Sequence, residues 1–96
     1  MNETSINIVP MAPSQYGVQI REGHTTTSHE VRVPPAFLDD LGLLEVDETL
    51  VVEETVGFLL DKEPAAAIDR SFSLDDVAQT FPDYYDELNS RIALRG

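Results

Sequence analysis

Cysteine is absent from the 96 residues, which excludes a disulfide framework and any thiolate metal site and fits a reducing compartment. Basic residues are nearly as scarce: 6 Lys and Arg stand against 18 Asp and Glu, a formal net charge of -12. Such an excess repels a phosphate backbone unless the few cations gather on one face. In the sequence they are scattered, as Arg21, Arg32, Lys62, Arg70, Arg91 and Arg95, so nucleic acid is disfavoured as a partner. Long apolar runs are missing too. The opening MNETSINIVPMAPSQ has no basic stretch and is interrupted by Pro10 and Pro13. It reads neither as a signal peptide nor as a membrane span, and a cytoplasmic location is expected. No phosphate-cradling glycine loop, EF-hand loop or dinucleotide fingerprint occurs in the chain, and neither a cofactor nor an enzymatic activity is expected.

What is present is the pattern of one small α+β domain. A chain this short buries only a little over roughly 60% of its unfolded surface, so its stability margin is thin and a homodimer stays open. Residues 1–15 mix polar residues and proline with a short Ile6, Ile8, Val9 patch and read as a flexible tail, with an edge strand as an option. From residue 16 the domain begins. Tyr16, Val18 and Ile20 alternate with Gly17, Gln19 and Arg21, and Val31 and Val33 alternate with Glu30 and Arg32, the period of half-buried strands. The polar segment from Gly23 to His29 between them predicts an antiparallel hairpin with a loose loop.

Pro34 and Pro35 end the second strand, and Pro35 suits the first position of a short helix to Leu41. Gly42 can take a left-handed C-terminal conformation there, folding Leu43 back on Leu38. The segment Glu48 to Lys62 has two readings. At helical spacing Val51, Val52, Thr55, Val56, Phe58, Leu59 and Leu60 share one arc, while Glu53, Glu54, Gly57 and Asp61 fill the remaining wedge. Asp47 can cap, Val46 and Val51 can staple, and Lys62 lies late. Against this, the Val and Thr content and a partial alternation allow a second pair of strands. The longer amphipathic helix is the preferred reading. Ser73 to Asp76 resembles a capping box opening a third helix, with Leu74, Val77, Ala78 and Phe81 as its apolar stripe. A last helix over Asp83 to Leu94 places Tyr84 or Tyr85 with Leu88 and Ile92.

The chemistry is sparse. His24 and His29 flank a Thr-rich segment without the spacing of a zinc site, and Ser28 and His29 point to opposite faces of a strand, so no metal and no nucleophile is expected. The pairs Asp39 and Asp40, Glu53 and Glu54, and Asp75 and Asp76 read as solvated faces. Phe72, Phe81, Tyr84 and Tyr85 sit at helical spacing and read as core before docking surface.

Two resemblances point in different directions. Phe58, Leu59, Leu60, Glu63, Pro64, Ile68, Phe72, Leu74, Val77, Phe81, Pro82, Tyr84 and Glu87 resemble the pattern FLLxxEPxxxI, FxLxxI, FPxYxxE shared by a group of small uncharacterised bacterial proteins. The likeness covers about the last 40% of the chain and implies the helical reading of Glu48 to Lys62, with no function attached. Val31, Val33, Pro34, Leu38, Leu41, Gly42, Leu43 and Asp47 look like the swapped-hairpin domain of AbrB/MazE-type regulators. That likeness implies a transcriptional regulator or antitoxin with Arg21 and Arg32 on DNA phosphates, but the usual Gly-Asp turn here reads Val46-Asp47. The leading expectation is a non-enzymatic protein-interaction or regulatory accessory domain whose acidic wedge, Glu53, Glu54 and Asp61, faces a basic protein.

Overall fold

A computed structural model describes residues 4–42 and 46–95. The chain forms β1 (Thr4–Ala12), β2 (Gln15–Glu22), β3 (Thr25–Arg32), α1 (Pro35–Leu41), α2 (Glu48–Lys62), β4 (Ser71–Ser73), α3 (Leu74–Thr80) and α4 (Tyr84–Arg95). A single 3-10 turn, Ala65–Ala67, lies between α2 and β4. The α+β class and the order of hairpin, short helix, longer helix and C-terminal helices are those the sequence predicts. Glu48–Lys62 is one continuous helix of 15 residues. Its Asp47 cap accepts the Thr49 amide at 2.9 Å, and Val51, Val52, Thr55, Val56, Phe58 and Leu59 are buried. The second pair of strands that the swapped-hairpin architecture would place there is not formed.

The sheet has the order β1-β2-β3-β4, antiparallel except for β4, which runs parallel to β3. Tyr16, Val18, Ile20, Val31 and Val33 bury one face against the helices, in a common core with Phe37, Phe58, Leu74, Tyr84 and Leu88. Helices therefore lie on one side of the sheet. On the other side Val9, Met11, Gln19, Arg21, Ser28 and Arg32 are exposed.

Two expectations are revised and one strand is added. Thr4–Ala12 takes the edge-strand option and not that of a tail, because Ile6 and Ile8 stand opposite Ile20 and Val18 and share their apolar face. Pro10 sits beside a register shift on this edge, where a missing amide donor is tolerated. Pro13 and Ser14 form the turn, with Ser14 at a φ of 60°. The hairpin between β2 and β3 is not loose: only Gly23 and His24 connect the strands, Gly23 has a φ of 62°, and Thr25 to Thr27 extend β3 as β-branched residues readily do. β4 was not anticipated, since three residues carry no readable alternation. It forms because Phe72 stands opposite Val31 in the core and the Glu30 amide donates to the Arg70 carbonyl at 2.7 Å.

The helix ends follow local rules. Gly42 takes a φ of 69° and donates to the carbonyls of Asp39 and Leu38. The expected fold-back of Leu43 lies outside the described residues. Ser73 and Asp76 complete a capping box at α3, as Asp76 accepts the Ser73 amide at 3.1 Å. No helix among the described residues is long and apolar enough to cross a membrane.

Candidate functional site

The acidic wedge of α2 is drawn inward by α4. Arg91 lays its guanidinium over Gly57, so close that a β-carbon there would come within 3.3 Å of Nη1. From that position it pairs with Asp61, reaches Glu54 at 3.8 Å and lies 3.4 Å from Glu87 on its own helix. Glu54 keeps only 15% of its side-chain surface exposed, against 66% for Asp61. The structure thus gathers Glu54, Asp61 and Glu87 around one cation. Glu53, the residue before Glu54 on α2, is half-buried. Lys62 pairs with Asp83 at 3.0 Å and lies 5.2 Å from the centroid of the Phe58 ring. The Lys62 hydrogen bond, ahead of a backbone hydrogen bond at Asp83 itself, holds the Asp83 carboxyl below the usual range.

Beside and beyond the α2–α4 seam, further helix acids are exposed, among them Asp39, Asp40, Asp75 and Asp86. Among the described residues, all acids except Glu22 and Glu30 follow position 38 in the chain, and the helices that carry most of them pack on one side of the sheet. The distribution of charge is therefore one-sided, which the linear sequence conceals.

The histidines are not brought together as ligands. His29 is buried on the core face of β3. Its Nδ1 lies 2.8 Å from the Asp69 carbonyl, which can only accept, so Nδ1 carries the proton. Nε2 lies 2.8 Å from the Thr27 hydroxyl, and the imidazole ties β3 to the segment ahead of β4. His24 occupies the hairpin turn. No group of three metal-ligating side chains occurs among the described residues.

Two phenols are the strongly perturbed groups. Tyr16 is pushed up to about 12, first by burial and then by its hydrogen bond to Glu48, donated at 2.7 Å to Oε1. This contact ties β2 to the first turn of α2. Tyr84 is raised above the ordinary phenol range by burial. Its hydroxyl lies 2.6 Å from that of Thr55, which itself donates to the Val51 carbonyl at 2.8 Å, so Tyr84 is the donor. Both phenols serve packing. Of the aromatic cluster, Phe72 and Tyr84 are core, Phe81 meets Phe58 edge-on, and Tyr85 stays 41% exposed beside Phe37.

Two concavities are of interest. One, of about 200 Å³, is floored by Leu59, Ile68, Phe72 and Val77 and is smaller than the roughly 300–1,000 Å³ of common ligand pockets. The other, of about 540 Å³, is a shallow depression on the uncovered face of the sheet between Val9, Met11, Gly17, Glu30 and Arg70. Arg21 and Arg32 stand on that same face, but at opposite ends of the hairpin. Arg21 is opposite Thr26, which places it about 20 Å along the strands from Arg32. Sequence reasoning did not single out Gly17 or Arg70. A glycine inside a strand alternation is the signal that could have marked the first, while Arg70 joins this face only through the β3–β4 pairing. No family model, no curated protein and no solved structure matches this chain.

Proposed function

We propose that the protein is a small acidic, non-enzymatic interaction or regulatory accessory domain that presents its helical layer to a basic protein. The one-sided placement of its acids supports this reading. A helical layer that carries most of the described acids of a chain at -12 produces a directed field, which speeds encounter with a basic surface and orients it. The binding surface is centred on the α2–α4 seam. Asp61, Glu87 and the exposed Asp86 are its outward-facing members, whereas Glu54 is largely committed to Arg91. The swapped-hairpin alternative gains no support, since α2 occupies the place of its second strand pair and Arg21 and Arg32 do not converge.

The test is chemical cross-linking in a lysate of the native host with the parent, with Glu53→Lys plus Asp86→Lys, and with Glu30→Lys on the opposite face. A basic protein recovered with the parent and with Glu30→Lys, but lost with the helical pair, is the expected result. Equal recovery by all three would sink the proposal.

A further inference from the structure

The uncovered sheet face differs in character from the helical layer. Among the described residues, Lys62 and Arg91 are spent on ion pairs with acids of the helices. The side chains of Arg21, Arg32 and Arg70 are exposed and make no ion pair among the described residues. Arg21 and Arg32 project from the uncovered face, and Arg70 lines its depression. The depression exists because Gly17 carries no side chain. Its floor is the Gly17 backbone, Val9 and Met11 form one wall with 52% and 60% of their surface exposed, and Glu30 and Arg70 form the other.

We propose that this face is a second docking surface, for an acidic peptide segment of a partner protein that sets one apolar side chain over Gly17 and places carboxylates on Arg70, Arg21 and Arg32. Charge complementarity selects this occupant. Ser71 is opposite Glu30, so Arg70 lies near the level of His29, with Arg21 and Arg32 each roughly 10 Å away along the strand direction. That is about the rise of three residues in an extended peptide. Glu30, whose carboxylate accepts the Gln15 side-chain amide at 2.7 Å, and Asp75, which lines a hollow with Arg32, border this face, and the three arginines outnumber them. A polyphosphate is disfavoured, because its long anionic backbone runs past the face into the field of the remaining acids. A second copy docked face to face about a two-fold axis would confront these arginines with one another.

Fluorescence anisotropy of a fluorescein-labelled peptide, a leucine pair flanked on both sides by aspartates, reads the binding. Two variants probe the two recognition elements separately. Arg70→Glu reverses the central charge at an exposed position. Gly17→Val fills the depression with a residue that favours strands; its β-carbon meets the Met11 Sδ at 3.1 Å, the free end of an exposed side chain that can swing aside. The expected result is saturable binding by the parent, weakened about tenfold or more by each variant with unchanged circular dichroism, and retained by Glu53→Lys plus Asp86→Lys. Chemical shift changes should centre on Gly17, Gln19 and Ser28. The proposal is overturned if both variants bind as the parent does, or if a peptide with lysines in place of the aspartates binds equally well. It is likewise overturned by tighter binding of an oligonucleotide of equal charge, or by concentration-dependent self-association that Gly17→Val abolishes in the absence of peptide binding.

Discussion

Arg91 shows how one residue changes the meaning of its neighbours. In the chain it is an ordinary helix cation four residues after Glu87. In the fold its guanidinium rests over Gly57 among three carboxylates from two helices, and it is itself only 23% exposed. Removing it leaves those carboxylates to repel one another in a partly desolvated seam. Arg91→Gln is expected to lower unfolding stability by about 1–2 kcal/mol at low salt, more than an exposed pair contributes and less than a fully buried one. Urea denaturation with and without about 0.5 M NaCl checks this, because screening should shrink the difference between variant and parent. A deficit that does not change with salt would point to lost packing instead.

At the scale of elements, the Tyr16 contact with Glu48 joins the hairpin to the N-terminus of α2. The Tyr16 phenol is pushed up to about 12 from its ordinary value of about 10. The folded state therefore holds this proton to higher pH than the unfolded chain does. Its contribution to stability is complete below about pH 10 and is lost as pH rises from there toward 12. Tyr84, raised by burial, acts in the same direction. Tyr16→Phe should lower stability at neutral pH, through the lost hydrogen bond, and give a shallower alkaline decline above about pH 10. Melting temperatures across that range read the slope, and an identical slope in parent and variant would separate the alkaline limb from Tyr16. The helices themselves are locally specified: Asp47, Ser73 with Asp76, and Gly42 each act within a turn of their own position. The sheet is different, since β1 and β4 exist through partners on other strands.

For the whole molecule, the dominant fact is a charge of -12 held mostly on one layer. Self-repulsion within that layer opposes the compact state. Raising ionic strength from about 0.01 M to about 0.15 M shortens the Debye length from about 30 Å to about 8 Å, so the melting temperature of the parent is expected to rise over that interval. A fall would mean that attractive pairs such as Lys62 with Asp83 outweigh the repulsion. The layering also separates two surfaces of different chemistry, acids above the helices and, on the open sheet face, arginines that make no ion pair among the described residues.

The sequence by itself determined the elements whose physics is local. These are the α+β class, the hairpin through Tyr16, Val18 and Ile20, the bounds of α1 and α2, and the caps at Asp47 and Ser73. Each depends on periodicity or on hydrogen bonds within a few residues, so distant parts of the chain were not needed to read them. Tertiary structure decided what depends on residues far apart in the chain. Ile6 and Ile8 become strand because β2 offers matching apolar partners, and Phe72 does so because Val31 lies beside it. His29 turns from a candidate ligand into a buried strut once Asp69 arrives 40 residues later. The acidic wedge proved half-neutralised because Arg91 packs across Gly57 at a separation of 34 positions, which no local pattern encodes. Which arginines are left on an open face, and which are consumed by acids, follows from the same packing.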